Sequence, residues 1–440
     1  MIPRRISAAV CAGVVAAGVA LAGCGSSSSS SSAAAASAPS GGSSSAASPS
    51  GGGAGKTIDL YYTAPLTGGA DVVGIQGCDG EKLAASDINA AGGVASGPLK
   101  GAKFSVSCLD NGGSADTTSS IAAKYVSQSN VWALSGFYAS GNALAAAIVA
   151  ERAGLPVIAS NVGADFLTTK VHNVFVVLPR LQSAGGAAMD FCKSYYGATK
   201  VAALVPNYSY IPNYMQGATA AGKALGVQLV SNQTWPDGQT TDWSPYWTKL
   251  GGSGAQCVLL GGYPPEQCQI TAQGRQLGMA QPVIDLTDSF TGPSCQKQAG
   301  SFYAGMIFGN MLPANPSPSS LTVKVGAEYQ KQYGQLMSYY AADGYDSVLA
   351  VEYAIEQGAT SRTDLVKYLA KVSGQGVGGP ISFTGNRIGL RYLTFEEANA
   401  KGGLAPVGEY QMYPNGTYKR IWVSNCSKRP TCQKNLGAKA

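Results

Sequence analysis

The sequence predicts an α/β protein built from two doubly wound lobes, and three observations support this fold class. Short apolar runs of strand length alternate with segments of helical periodicity, which is the pattern of βαβ units and parallel sheets. The alternation runs through one series and starts again after residues 174–180. Without the first 55 residues, about 385 remain, which is enough for two cores rather than one.

The first series runs from residue 56 to about residue 180. Residues 57–63, TIDLYYT, have the composition of a strand, and residues 80–93 place Ala84, Ile88 and Ala91 on one helical face before two glycines end the helix. The next segments repeat the alternation, with strands predicted at 103–109, 131–136 and 155–160 and helices at 120–128 and 143–154. These segments predict the first parallel sheet.

The second series begins with a helix that carries Ala187, Phe191 and Tyr195 on one face. Trp243 and Trp247 lie one turn apart in a later helix, and we interpret them as its buried face rather than as ligand contacts. The other segments are strands predicted at 200–206, 227–233, 256–263 and 281–287, with helices at 217–226 and between the last two strands. This repeat predicts the second lobe.

The C-terminal segments are too few for a third large domain. They comprise helices predicted at 343–359 and 363–372 and short β segments at 379–385 and 409–423. We therefore expect them to complete the two lobes. Lobe 1 then comprises residues 56–179 and about 312–384, lobe 2 comprises residues 180–311 and about 385–425, and residues 426–440 form a C-terminal tail.

Residues 1–23 have the order of a secretory signal peptide. Arg4 and Arg5 precede an apolar run of about 15 residues, shorter than the roughly 20 of a spanning helix, and small residues follow it. Residues 21–24, LAGC, resemble the lipobox of bacterial lipoproteins. The resemblance implies that Cys24 is acylated and that the protein is extracytoplasmic and lipid-anchored to the outer face of the cell membrane. The alternative is an ordinary signal peptide cleaved nearby.

Residues 24–55 are predicted to form the lipidated cysteine and a linker. After Cys24 the segment is almost wholly Gly, Ser, Ala and Pro, a composition that cannot form a packed core. A flexible chain of about 31 such residues has an r.m.s. span of roughly 30 Å. The linker therefore predicts a folded body tethered above a membrane.

Charge and motifs exclude two classes of function. Charged residues make up 12% of the chain, and the net charge of +6 is spread without the basic cluster that nucleic-acid binding requires. No G-x-S-x-G, H-E-x-x-H or P-loop motif is present, and His172 is the single histidine. We therefore expect neither a nucleic-acid partner nor an enzyme.

Eight cysteines remain once the signal peptide and Cys24 are set aside, and an even number in an oxidising compartment predicts four disulfides. Cys426 and Cys432 are the closest pair in sequence, and Cys78 and Cys108 would connect the first helix to the second strand. The candidates are Cys78, Cys108, Cys192, Cys257, Cys268, Cys295, Cys426 and Cys432. A metal site is the alternative, but the sequence has no C-x-x-C, so neither metal nor cofactor is expected.

Several segments occur in the order of one known family. They are residues 58–69 (IDLYYTAPLTGG), 80–94, 109–118 (LDNGGSADTT), 134–160, 259–279 and 341–359 (AADGYDSVLAVEYAIEQGA). Over roughly residues 56–424 the chain resembles the branched-chain amino-acid (Leu/Ile/Val) type of periplasmic binding protein. The resemblance implies a monomeric type I clamshell, in which two lobes joined by a hinge close on a small-molecule solute and deliver it to the subunits of an ABC permease.

The ends of the predicted strands mark the candidate site. In open α/β sheets ligands bind beyond the carboxyl ends of the strands, and two such sheets facing each other form a cleft. The segments after the strands are rich in Gly, Ser, Asn and Tyr. Tyr138 and Tyr263 both follow strands and are candidates for the cleft, the alternative being surface tyrosines beside turns.

The resemblance adds individual residues of lobe 1. The turn and helix start that hold the ligand carboxylate fall on residues 138–142, with Ser140 and Asn142 as donors and Gly141 between them. A family threonine falls on Gly163, where the hydroxyl is missing and Asn161 is the available substitute.

The resemblance also implies residues of lobe 2. The family tyrosine falls on Tyr210, with Tyr208 as the alternative, and the acid that pairs with a ligand ammonium falls on Asp288. Glu266 is interpreted as an acidic residue at a helix N-terminus.

Departures from the family pattern leave the solute open. An α-amino acid is one candidate, and amides, urea-like compounds, polyols and aromatic acids are the others. Transport of a small polar solute is the expected function, and a lipoprotein that reports solute occupancy to a membrane receptor is the alternative.

Overall fold

The computed structural model describes residues 52–163, 166–236, 241–263, 266–286, 297, 299–300, 303–314, 318–383, 387–399, 401 and 403–425. The strands are β1 (Thr57–Ala64), β2 (Lys103–Asp110), β3 (Val131–Gly136), β4 (Val157–Ala159), β5 (Val174–Val176), β6 (Lys200–Pro206), β7 (Gln228–Trp235), β8 (Cys257–Leu260), β9 (Val283–Asp285), β10 (Ile307–Asn310), β11 (Ser373–Gln375), β12 (Pro380–Ser382), β13 (Arg391–Ala398), β14 (Leu404–Met412) and β15 (Tyr418–Val423). The helices are α1 (Asp71–Ala90), α2 (Ala115–Tyr125), α3 (Ser140–Glu151), α4 (Phe166–Lys170), α5 (Leu181–Tyr196), α6 (Ile211–Leu225), α7 (Ser244–Gly251), α8 (Glu266–Gln276), α9 (Ser320–Tyr333), α10 (Tyr339–Glu356) and α11 (Arg362–Leu369).

The described strands form two large sheets. In the first sheet the order is β2-β1-β3-β4-β5, and every pairing is parallel. In the second the order is β15-β14-β13-β10-β9-β8-β6-β7, in which β6 to β10 pair in parallel and β13 to β15 extend the sheet in antiparallel fashion. The predicted fold class of two doubly wound α/β lobes is therefore confirmed, and the antiparallel extension is an addition to it.

Helices from the C-terminal part of the chain pack against the first sheet. Helix α10 packs along α1, and α11 packs on α10 and β3. Beyond Arg391 the chain enters the second sheet. From these contacts we propose the same lobe limits as above, with lobe 1 at 56–179 and about 312–384 and lobe 2 at 180–311 and about 385–425.

Glycines let α1 and α10 approach at the level of their backbones. A Cβ added to Gly80 would lie 1.9 Å from the Ala341 carbonyl oxygen, and one added to Gly344 would lie 2.2 Å from the Gly77 carbonyl oxygen. The hydroxyl of Ser338 accepts the Ala341 N–H and so caps the start of α10. The packing and the cap together fix the first turn of α10.

The proposed lobe limits give three crossings between the lobes, and the first and the last of them lie side by side. Ile388 forms an isolated parallel bridge with Val176, and the Gly389 N–H donates to the Val176 carbonyl oxygen at 2.8 Å. The Val176 N–H in turn donates to the Arg387 carbonyl oxygen at 2.9 Å. The two crossings thus form a short connected ribbon.

A buried group of three charges lies close to this ribbon. The Arg391 Nε atom lies 3.1 Å from Asp343 Oδ1, and its Nη2 atom lies 2.9 Å from Asp346 Oδ2. All three side chains are at most 1% exposed. Because the aspartates belong to α10 and Arg391 begins β13, these ion pairs connect lobe 1 to lobe 2.

Disulfides connect helices to strands in both lobes. Cys78 of α1 is bonded to Cys108 of β2, as the sequence suggests, and Cys192 of α5 is bonded to Cys257 of β8. Cys268 is also disulfide-bonded. The remaining candidates Cys295, Cys426 and Cys432, together with Cys24, lie outside the described residues.

None of the described helices combines the length and the apolar composition needed to cross a membrane.

Candidate functional site

Segments that follow strands of both sheets surround a cavity of about 40 Å³. Six of the residues predicted from the sequence line it, namely Tyr138, Ser140, Asn161, Gly163, Tyr210 and Tyr263. Tyr138 and Asn161 come from lobe 1, and Tyr210 and Tyr263 come from lobe 2. The structure therefore brings together residues from strand ends that are far apart in the sequence.

The turn after β3 presents Tyr138 and Ser140 to the cavity. Gly136 and Phe137 both have positive φ angles, of 94° and 65°, and the Phe137 N–H donates to the Thr63 carbonyl oxygen at 2.8 Å. A positive φ at a bulky residue such as phenylalanine costs about 1–3 kcal/mol and persists only where the surroundings enforce it. This strained turn redirects the chain from β3 into α3.

The first turn of α3 supplies polar groups. Ser140 is its first residue and is buried, and Gly141 follows without a side chain. Asn142 is only 3% exposed, and its Nδ2 atom has no hydrogen-bond partner among the described residues. Neither Gly141, which is exposed, nor Asn142 lines the cavity.

The turn after β4 contributes Asn161 and Gly163. The Asn161 side chain is buried, and its interaction with the Tyr62 hydroxyl lowers the pKa of Tyr62 against the larger raising effect of burial. A Cβ added to Gly163 would lie 2.5 Å from Leu181 Cδ1. The space of a side chain at position 163 is thus occupied by a leucine from lobe 2.

Lobe 2 presents a cluster of three tyrosines. The Tyr210 hydroxyl donates to the Gly262 carbonyl oxygen at 2.9 Å and accepts from the Gly262 N–H at 3.1 Å. The Tyr263 ring is stacked on Tyr208, with centroids 4.6 Å apart, and lies 5.5 Å from the ring of Tyr210. The hydrogen bonds of Tyr210 therefore fix the turn that carries Tyr263.

Acidic residues surround this cluster. Glu266 begins α8 and accepts hydrogen bonds from Tyr208 at 3.1 Å and from Trp235 at 2.8 Å. Asp285 ends β9 and is fully buried; burial, the neighbouring Tyr263 and the charge of Asp285 raise the pKa of Tyr210. The predicted acid Asp288 lies outside the described residues.

Five cavity residues were not predicted from the sequence. They are Leu178, Leu181, Met311, Tyr339 and Tyr340. Each lies at a crossing between the lobes or at the start of a helix, whereas the predictions were drawn from loops that follow strands. The sequence signal that could have located two of them is the pair of adjacent tyrosines at the start of α10. Their ring centroids lie 4.0 Å apart in the structure.

Burial tests the interpretation of the two tryptophans. Trp243 and Trp247 are each 1% exposed and belong to a core cluster of lobe 2, which confirms their interpretation as a buried face. In the described part of the chain, no group of three or more His, Cys, Asp or Glu side chains is placed to hold a metal ion.

A buried carboxyl group lies behind the cavity in lobe 1. Glu81 of α1 is fully buried, and the Ser135 hydroxyl donates to its Oε2 atom at 2.8 Å. Burial raises the pKa of Glu81 from 4.5 to about 8, against the lowering effect of Ser135. The carboxyl group is therefore protonated at neutral pH.

Glu81→Gln is expected to flatten the pH dependence of stability. The folded state keeps a proton on Glu81 that the unfolded chain loses, so its contribution to stability falls as the pH rises from about 4.5 to about 8. One proton gives a slope of up to about 1.4 kcal/mol per pH unit. Urea denaturation at several pH values measures that slope. Asp116→Asn, at an exposed position of α2, is the control; equal slopes in both variants would contradict the assignment.

Related sequences identify a family for this chain. The family model described as "Periplasmic binding protein" matches residues 62–402. An "Amino acid binding protein" of Pseudomonas aeruginosa is 28% identical over 216 residues, which are 49% of this chain and 56% of that protein. The "Leu/Ile/Val-binding protein homolog 8" of Brucella melitensis is 24% identical over 345 residues, which are 72% of this chain and 81% of that protein. The chain thus spans little more than half the length of the first of these relatives.

Solved structures share the fold. The branched-chain amino acid transporter substrate binding protein LivJ from Streptococcus pneumoniae, in complex with isoleucine, has a TM-score of 0.71 and 24% identity, covering 83% of this chain and all (100%) of that one. An ABC transporter solute binding protein from R. palustris in complex with benzoate has a TM-score of 0.69 and 17% identity, covering 80% and 96%.

Proposed function

The chain belongs to the periplasmic binding protein family, in its branched-chain amino-acid type, and from this premise we propose that it captures a small polar solute between its lobes and delivers it to an ABC permease. The family consists of extracytoplasmic solute-binding proteins, not of enzymes. The observation that carries the proposal is the cavity lined from both lobes by Tyr138, Asn161, Tyr210 and Tyr263. The solute we propose is an amino acid or an amide-like compound, the first of the candidates that the sequence leaves open.

The proposed mechanism begins at lobe 1. Ser140, Asn142 and the turn from Asn161 to Gly163 bind the solute first, because the first N–H groups of a helix and buried side-chain amides are ready donors for an anionic group. Bending at the ribbon formed by the two crossings then brings Tyr210 of lobe 2 onto the solute. Asp288 is proposed to join this wall and to meet a ligand ammonium where one is present.

Membrane attachment completes the proposal. Acylation of Cys24 anchors the protein, and the predicted linker, residues 24–55, holds the folded body near its permease. The last residues of that range already belong to the body, because Gly53 is buried and its N–H donates to the Lys100 carbonyl oxygen at 3.3 Å. A linker of this composition has an r.m.s. span of roughly 30 Å. Mass spectrometry of the protein from a membrane fraction tests the anchor: a diacylglyceryl group on Cys24 supports it, and an unmodified mature N-terminus elsewhere rules it out.

Thermal unfolding against a panel of solutes tests the binding function. We expect a solute at about 100 times its dissociation constant to stabilise the folded state by about 2.7 kcal/mol. The panel contains amino acids, amides, polyols and aromatic acids, and the disulfides are kept intact. A panel in which no compound raises the melting temperature would contradict the proposal.

Ser140→Ala is expected to weaken binding of the identified solute by about tenfold or more, because a hydrogen bond to a charged group contributes about 1.5–3 kcal/mol. Isothermal titration measures the affinity. Ser120→Ala is the matched control, since Ser120 is an exposed helical serine whose hydroxyl donates to the Asp116 carbonyl oxygen at 2.9 Å. Equal affinities for the two variants would remove Ser140 from the site.

A further inference from the structure

The walls of the cavity are aromatic on both sides. In lobe 1 the Tyr138 ring meets Tyr340 edge to face, with centroids 6.2 Å apart. Across the cleft Tyr138 lies 4.7 Å from the Tyr263 ring of lobe 2, at an angle of 49°. Tyr263 is itself backed by the stacked ring of Tyr208. The two lobes therefore meet through the faces of tyrosine rings.

From this arrangement we infer that the solute carries a planar aromatic ring and a carboxylate, and that the ring inserts between Tyr138 and Tyr263. The inference rests on the proposed function of solute capture and changes the solute class to aromatic acids, of which aromatic amino acids are one kind. When the lobes separate, the Tyr138–Tyr263 contact breaks, and an inserted ring replaces it with two ring contacts of the same kind. Aromatic pairs at 4.5–7 Å separation contribute beyond the area that they bury, by about 2–10-fold in affinity per pair.

The rest of the lining suits such a ring. Leu178, Leu181 and Met311 supply apolar edges, and none of the described residues that line the cavity carries a formal charge. Leu181 also occupies the space in front of Gly163. At position 163, where a threonine would provide a hydroxyl group, the cavity wall is therefore apolar.

Polar groups also line the cavity. Tyr138 is nine-tenths buried, and its hydroxyl has no hydrogen-bond partner among the described residues. Burial raises the pKa of Tyr138 well above its usual value, with the neighbouring tyrosines adding to the shift, so the hydroxyl remains a donor. Asn161 offers a buried amide in the same cavity, and Ser140 begins a helix of 12 residues. A carboxylate placed here accepts from several donors.

Matched pairs of ligands test the ring. Isothermal titration of the purified, disulfide-intact protein compares benzoate with cyclohexanecarboxylate, and phenylalanine with cyclohexylalanine. Each pair keeps the carboxylate and the carbon count and changes only the planarity and the π faces. We expect the aromatic member of at least one pair to bind at least tenfold more tightly, which corresponds to about 1.4 kcal/mol.

Variants test the position of the ring. Tyr138→Leu is expected to remove most of the preference for the aromatic member, because it removes one of the two ring contacts. Tyr125→Leu is the matched control, since Tyr125 stacks on Tyr61 at a centroid distance of 4.1 Å and does not line the cavity. The control variant is expected to keep the preference.

Some results would overturn the aromatic ring alone, and others would also count against solute capture. Tighter binding of leucine or of a polyol than of either aromatic probe would overturn the aromatic ring and leave solute capture standing. Equal affinities within both pairs, or a preference that survives Tyr138→Leu, would also overturn it. Failure of the whole panel to bind would overturn the inference and count against solute capture itself.

Discussion

Arg391→Met is expected to lower the free energy of unfolding by about 3–5 kcal/mol, because it leaves buried carboxylates without their cation. Arg391 is 1% exposed and lies 3.1 Å from Asp343 and 2.9 Å from Asp346. Methionine fills most of the volume but provides no charge. Because these ion pairs connect α10 of lobe 1 to β13 of lobe 2, the substitution is also expected to destabilise the junction between the lobes.

The two aspartates do not share the cation equally. Asp346 also accepts the backbone N–H groups of Val377 at 2.6 Å and Gly378 at 3.0 Å. Asp343 Oδ2 has no hydrogen-bond partner in the described structure, and burial raises the pKa of Asp343 to about 8 although Arg391 opposes the shift. Burial also raises the pKa of Asp346, but its two backbone N–H donors favour the ionised form, so Asp346 is the stronger counter-ion of Arg391.

Urea denaturation with two reference variants tests this assignment. Lys324→Met removes an exposed lysine whose Nζ lies 3.8 Å from Glu328 Oε1, and an exposed pair of this kind contributes about 0–1 kcal/mol. Combining Arg391→Met with Asp346→Asn is expected to restore part of the lost stability, since the unpaired charge is then gone. A loss from Arg391→Met no larger than that from Lys324→Met would show that the buried ion pairs do not stabilise the fold.

The alternation of strands and helices was predictable, whereas the start of α1 was not. The sequence predicts that helix from residue 80, but the structure begins it at Asp71. Glycines at positions 74, 77 and 80 weaken a helix in isolation by about 1 kcal/mol each. A Cβ at position 80 would meet the backbone of α10, whereas one at position 74 or 77 would meet the Pro65 carbonyl oxygen or the Tyr62 hydroxyl. None of these tertiary contacts can be seen in the local sequence.

The cavity was predictable to the extent that it is built from strand ends. Tyr138, Asn161 and Tyr263 all follow strands, so the general position of ligand sites in open α/β sheets locates them. Tyr339 and Tyr340 come instead from the first turn of α10, which reaches the cavity only because α10 packs on α1. A contact that depends on the packing of two distant helices leaves no local sequence pattern.

The antiparallel strands were also only partly predictable. Strand β13 has no clean alternation, because six of its eight residues are buried, including the charged Arg391. A buried arginine is rare unless it is paired. Its partners lie in α10, about 45 residues earlier, so the sequence around β13 gives no indication that the charge belongs in the core.

Replacing Cys192 and Cys257 together with alanine is expected to lower the free energy of unfolding by about 2–5 kcal/mol. The disulfide closes a loop with a sequence separation of 65 and joins α5 to β8. Helix α5 begins with Leu181, and β8 leads to Tyr263, so the same bond holds together two elements that line the cavity.

The corresponding change in lobe 1, Cys78→Ala with Cys108→Ala, is the matched control, because that disulfide closes a shorter loop with a separation of 30. Loop-closure entropy predicts that the lobe 2 variant loses about 0.7 kcal/mol more than the lobe 1 variant, and denaturation under non-reducing conditions measures both losses. A larger loss from the lobe 1 variant would mean that native-state contacts, rather than the entropy of the unfolded chain, determine the contribution of these bonds. In that case the Cys78–Cys108 disulfide would stabilise the fold more than the Cys192–Cys257 disulfide does. The reason would lie in the native contacts of α1, which packs on α10 through its glycines.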